Sequence, residues 1–276
     1  MALSLMMVPT MLAQAQDRPV RWRRGEPGAQ IPLTVFHSTQ SVHLPTAETM
    51  QQGELQFEIW HRFLPPISSG VNGLWGLDGP VNVRFGLGYA LTDEFVFTLG
   101  RSNVQDNVDL QFKYRALEIP SENLPFLIGF QAGVGWNTDV AGRKDSDSRN
   151  FQYYGQIIIN TIIDRRLAVG LVPSYLNNID VSSAERENEV SLGLYSHYYA
   201  SELLGLLAEW HISESNVSAP FNALTLGVQL ETGGHFFKVF VTNSASLNPS
   251  LFLAGAVSPF DSDDIRLGFN ITRLLK

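Results

Sequence analysis

From Gly53 onward the chain breaks into runs of about ten residues in which apolar side chains occupy every second position. No uninterrupted apolar run of helix-spanning length follows the N-terminus. A period of two places successive side chains on opposite faces of a sheet. Leu55, Phe57, Ile59 and Phe63 face one way, Gln56, Glu58 and Arg62 the other. The runs from Pro80 and from Val108 repeat this, with Val81, Val83, Phe85, Leu87, Tyr89 and then Val108, Leu110, Phe112, Tyr114 on the apolar side. One apolar face and one charged face, repeated this regularly, suits lipid outside and water inside. If the chain crosses a membrane it must do so as a closed barrel, whose backbone groups pair strand to strand.

The alternation continues through the fifth strand (Phe126 to Trp136), the seventh (Leu167 to Tyr175) and the last (Asp264 to Leu274), giving about twelve strands. Connections alternate long and short, as expected when short turns face the periplasm and long loops face outside. With the first strand rising from the periplasm, Phe63, Trp136, Tyr153, Tyr175 and Trp210 fall near the outer ends of their strands. Tyr89, Tyr114 and Tyr198 fall near the inner ends, so the outward aromatics form two girdles at the membrane interfaces. Trp60 breaks the pattern: by parity it points inward, so it either fills the lumen or marks a bulge. The expected fold is therefore all-β, a transmembrane antiparallel up-and-down barrel.

Ahead of the barrel, residues 1–15 combine an apolar stretch with Ala13-Gln14-Ala15 and read as a secretory signal peptide lacking its basic n-region. Residues 16–52 form a periplasmic extension or plug, and residues 53–276 the barrel. Arg18, Arg21, Arg23 and Arg24 read as part of a solvated linker. The net charge of -8 disfavours nucleic acid, and zero Cys removes disulfides, thiolate metal sites and lipoprotein acylation.

The inner face carries the acids Glu58, Glu94, Asp109, Glu189, Glu209 and Glu231 and the bases Arg62, Arg84, Lys113, Arg115, Lys238 and Arg266. The signs balance, which fits either a lumen closed by salt bridges or a weakly selective watery pore. Inward glycines such as Gly86, Gly133, Gly135 and Gly227 leave room for solvent, for a neighbouring side chain or for a plug. His197 with Ser191 and Ser196, and His211 with Glu209 and Ser213, are the nearest approach to a catalytic group, and neither has a recognisable motif. Metal binding by His61, His211 and Glu209 lacks characteristic spacing, and no cofactor-binding motif is present. The long final loop carries Leu251-Phe252-Leu253-Ala254, which folds into the barrel mouth as a lid or docks another envelope protein.

The run Val35-Phe36-His37-Ser38-Thr39-Gln40-Ser41, with Gly53-Glu54-Leu55-Gln56-Phe57, Arg84-Phe85-Gly86-Leu87, Leu91-Thr92-Asp93 and Lys113-Tyr114-Arg115, resembles an outer-membrane β-barrel family of Gram-negative bacteria labelled as a domain of unknown function. The resemblance implies an outer-membrane barrel and no known activity. One departure is the ending Leu274-Leu275-Lys276, where such barrels often place an aromatic residue. The function expected is a passive or gated channel for small solutes, without catalysis. The alternative is a structural or partner-binding barrel with a closed, salt-bridged lumen. The partners expected are outer-membrane lipid and either small solutes or another envelope protein.

Overall fold

In the computed structural model, which describes residues 33–214 and 218–275, the strands form one closed antiparallel barrel. They are β1 (Leu55–Phe63), β2 (Val81–Ala90), β3 (Phe95–Ser102), β4 (Val108–Ile119), β5 (Phe126–Trp136) and β6 (Phe151–Ile163). Then follow β7 (Leu167–Asn177), β8 (Asn188–Tyr199), β9 (Leu204–Ile212), β10 (Ala223–Thr232), β11 (His235–Thr242) and β12 (Arg266–Leu275). Each strand pairs with its neighbours in sequence, and β1 closes on β12 from Leu55↔Leu275 to Arg62↔Gly268. Closure leaves no strand edge unpaired, which is what a lipid solvent requires. The signal peptide and the arginine-bearing stretch expected from sequence lie outside the described residues.

Turn chemistry explains the short-turn end. Gly233 and Gly234 (φ 51° and 93°) join β10 to β11, and Asp164 and Arg165 (φ 50° and 55°) join β6 to β7. Two successive positive φ values match the right-handed twist of the strands they connect. Loops of ten residues or more, at 64–80, 137–150, 178–187 and 243–265, gather at the opposite end. Pro173, lacking an N–H, interrupts the β6–β7 ladder between Gln156↔Ser174 and Ile159↔Leu171.

Most outward residues are apolar. Tyr114, Tyr153, Tyr175, Tyr198 and Trp210 are exposed on the outer face, Trp136 stacks on Phe151 at 5.9 Å, and Phe63 and Tyr89 lean on Phe269 and Phe97. Leu99, 52% exposed at mid-height of β3, belongs to this surface. Leu99→Arg is expected to cost about 2–4 kcal/mol of barrel stability, because a charge at the bilayer midplane must be dragged out of water. Urea titration of the protein refolded in vesicles checks this, and an unchanged midpoint would mean that the outer face is wet.

Candidate functional site

The lumen is filled by the protein itself. Residues 33–50, for which the sequence shows no strand period, enter at the short-turn end, reverse, and leave at the same end into β1. Leu33 N donates to Glu118 Oε2 at the foot of β4, and on the way out Thr49 Oγ1 donates to the Asp93 carbonyl in the β2–β3 turn. The reversal is a small hairpin, closed by Ser41 N to the Leu44 carbonyl (2.8 Å) and Thr46 N to the Thr39 carbonyl (3.1 Å). Val35, Phe36, Val42, Leu44 and Ala47 are completely or almost completely buried, and Phe36 and Leu44 join the interior cluster containing Ile158, Val172 and Tyr195.

Charged wall residues grip the backbone of this hairpin. Glu209 accepts from the N–H groups of Val42 (3.0 Å), His43 (3.1 Å) and Leu44 (3.1 Å), and from His43 Nδ1 (2.7 Å). With its proton on Nδ1, the His43 ring accepts from Arg62 Nε through Nε2 at 3.3 Å. From the other side Lys238 Nζ donates to the carbonyls of Gln40 (2.5 Å) and Ser41 (2.6 Å) and to Ser38 Oγ (2.9 Å). Lys113 Nζ donates to the Thr39 carbonyl. A buried charge with several good hydrogen bonds to its counterpart is tolerated where an unpaired one is not.

A second group braces the wall. Arg84 donates through Nε and Nη2 to Asp109 (2.9 and 2.6 Å) and through Nη1 to Glu58 (3.1 Å), all three nearly fully buried. Trp60 supplies the ring beneath that guanidinium, 4.7 Å from its centre. The continuous register of β1 excludes a bulge, so Trp60 fills the lumen. Gly100 makes room for the group, since a Cβ there would lie 2.1 Å from Arg84 Nη2. Other inward glycines are used likewise: Gly133 lies under Tyr154, Gly227 under Phe240, and Gly193 under Leu44 of the hairpin.

At the long-loop end the segment after β11 forms a short helix, α1 (Pro249–Leu253), which seats Phe252 and Leu253 in the mouth. Phe252 stacks on His43 at 4.1 Å and 2°, so lid and plug meet. The remaining space includes a cleft of about 10 Å³ beside Thr39, Gln56, Gln111 and Gln131, room for about one water.

Of the charged residues assigned to the inner face, Glu58, Arg62, Arg84, Asp109, Lys113, Glu189, Glu209 and Lys238 are buried inside the barrel. Glu231 sits at the short-turn mouth, 2.6 Å from His37 Nδ1, and Arg266 at the opposite rim, donating to the Leu64 carbonyl. Glu94 departs from the expectation: it is exposed in the β2–β3 turn, 2.9 Å from Thr92 Oγ1, because the chain reverses there and parity no longer decides its direction. Arg115 lies at a β4 bulge and pairs with Glu118 at 3.3 Å near the short-turn rim. In the β5–β6 loop, hydrogen bonds from Arg149 hold Asp147 below the usual carboxylate range.

The other sequence candidates are engaged separately, His211 Nε2 donating to the Leu253 carbonyl at 2.9 Å. His197 Nε2 lies 3.2 Å from Ser41 Oγ, a plug residue, whereas Ser196 is on the outer face of β8. His61 stacks outside on Phe269, on the opposite side of the wall from Glu209 and His211. Among the described residues no three histidine or acidic side chains are placed to share a metal ion.

A closed barrel with an apolar exterior, an inner wall carrying the charged side chains and an internal N-terminal hairpin defines a membrane β-barrel protein. The particular family follows from a family model described as "Membrane bound beta barrel domain (DUF5777)", which matches residues 36–275. The chain belongs to this family. Among solved structures it is similar to the NanC porin, at 9% identity, covering 80% of this chain and 98% of that one, with a TM-score of 0.47. It is also similar to an outer membrane channel from Pseudomonas putida F1 (12% identity, 83% and 98% coverage, TM-score 0.47) and to outer membrane phospholipase A from Escherichia coli (11%, 80% and 90%, 0.41). No curated protein sequence matches.

Proposed function

We propose that the protein is a gated channel for small solutes in the outer membrane of a Gram-negative bacterium, closed at rest by its own N-terminal hairpin. The observation that carries this reading is the chemistry of the wall behind the hairpin. Gln56, Glu58, Gln111, Lys113, Gln131, Glu209 and Lys238 are groups that water can serve as well as the plug does. A barrel meant to stay filled is better served by an apolar interior, which needs no matching of donors to acceptors. Withdrawal of residues 33–50 leaves a bore lined by both signs of charge beside an apolar patch at Ile158, Val172 and Tyr195, hence weak ion selectivity. Catalysis forms no part of the proposal. The contact of lid with plug favours one rival, a permanently closed scaffold.

Planar-bilayer recording separates the two. The full chain is expected to be silent with rare openings, and the same chain lacking residues 33–50 to conduct steadily. Silence of the truncated protein, once shown to be folded by heat-modifiable migration, would overturn the channel in favour of the scaffold.

A further inference from the structure

The loop at 64–80, between β1 and β2, leaves its apolar side chains uncovered. Val71 is 68% exposed, Leu74 52%, Trp75 51% and Leu77 50%. Asp78 is its one charged residue, whereas each of the loops at 137–150, 178–187 and 243–265 carries three or more. A contiguous apolar patch on a protein surface marks a place where something other than water makes the contact. The backbone adds a second sign. Leu74 and Trp75 both take positive φ (47° and 52°), a conformation that bulky residues rarely adopt and that persists where surrounding contacts repay its cost. Within the chain those contacts are few, since half of each side chain faces away from it.

The place of the loop on the barrel points to lipid as that contact. The β1–β2 ladder, which pairs Phe63 with Val81, runs one step further, because Leu64 N donates to the Pro80 carbonyl at 3.0 Å. Pro65 therefore stands opposite Gly79, and a Cβ on Gly79 would run into the Pro65 ring. Pro65 thus prolongs the outward line of Phe63 and Val81 beyond the girdle. On its other side the loop is tied to the chain entering β12, where Ile67 N donates to the Ile265 carbonyl (2.8 Å) and Ser68 Oγ to the Asp263 carbonyl (2.7 Å). From Phe63 to Leu77 no charged residue separates the exposed patch from the lipid-facing wall. A docking patch for a soluble protein is instead rimmed by polar residues that water reaches. A tryptophan among aliphatic side chains suits the boundary between acyl chains and headgroups.

We infer that the 64–80 loop is a membrane anchor: Val71, Leu74, Trp75 and Leu77 enter the acyl–headgroup boundary of the leaflet at the long-loop end and hold the β1–β2 side of the barrel against lipid. The inference needs the membrane barrel and not conduction. The charged loops at 137–150 and 178–187 stay in water, joined to each other by Arg143, which donates to the carbonyls of Val181 and Ser183. Two sides of one barrel mouth thus meet the membrane differently.

The chain has no cysteine, so one introduced thiol carries the only label. Leu74→Cys and, for reference, Ala184→Cys in the exposed part of the 178–187 loop are labelled with a nitrobenzoxadiazole fluorophore and refolded into phosphatidylcholine vesicles, folding being checked by heat-modifiable migration. With iodide on both sides of the membrane, the label at position 74 is expected to escape iodide, to emit further to the blue and to be quenched by a lipid nitroxide placed next to the acyl carbonyl. The label at position 184 is expected to show the reverse. Iodide access at position 74 equal to that at position 184 would overturn the anchor. Shielding from iodide without nitroxide quenching would also overturn it, in favour of a protein contact such as a second copy of the chain. Trp75→Phe, which needs no label, is expected to lose part of the tryptophan quenching that brominated phosphatidylcholine causes in the unaltered protein, and unchanged quenching would count against lipid contact at this loop.

Discussion

Replacing Glu209 with leucine will open the barrel before it unfolds it. Four hydrogen bonds from the hairpin end on this one carboxylate, three of them from backbone N–H groups that have no other partner within the turn. Leucine keeps the volume and removes every acceptor, so the cost falls on the plugged state. Breaking a buried charge network of this kind costs about 3–5 kcal/mol. None of that cost reaches the unplugged barrel, where water replaces the carboxylate's partners. The closed-to-open ratio should therefore fall by a factor of roughly a hundred to several thousand. Single-channel recording of the full-length variant is the measurement. An open probability no higher than that of the unaltered protein would show that apolar packing of Phe36 and Leu44, rather than the polar grip, retains the hairpin.

The second large effect is on stability. Arg84→Met leaves Asp109 and Glu58 facing one another with almost no exposure and no cation between them. The expected loss is again about 3–5 kcal/mol, here charged to the barrel itself because both carboxylates belong to the wall. Arg84→Lys should recover less than half of it. A single ammonium cannot hold both oxygens of Asp109 and Glu58 together, nor lie flat on Trp60. The urea midpoint of the refolded protein reads both variants. A midpoint unmoved in Arg84→Met would mean that water enters around the triad.

The barrel was legible because its physics is local: alternation decides which face each side chain takes, and Gly233-Gly234 or Asp164-Arg165 announce the reversals. Glu94 shows where the rule stops, since a turn residue has no face. The hairpin of residues 33–50 was legible only as an alternative. Its residues follow no period, because their environment is made by groups far along the chain: Val42, His43 and Leu44 are held by Glu209, and Ser41 by Lys238 and His197. The balance of inner charges was visible in sequence, but not that the two signs divide their work. Arg84, Asp109 and Glu58 brace the wall, while Glu209 and Lys238 hold main chain. The lid was legible as one of two alternatives, but not that its polar residues would be buried with Phe252 and Leu253. Asn248 and Ser250 look like ordinary loop residues until the fold turns them inward.

Both limbs of the plug cross the same mouth, and its second limb runs directly into β1 through Gly53, whose φ of 83° makes the bend. On the gating proposed here, a released plug would be a leash rather than a stopper. It never threads the bore, and it stays at an effective concentration on the order of millimolar beside the opening it left. Reclosure needs no encounter with another molecule and cannot be diluted away. Under the gating proposed here, the lifetime of each opening would be set within one polypeptide, the same in a crowded membrane as in a single vesicle.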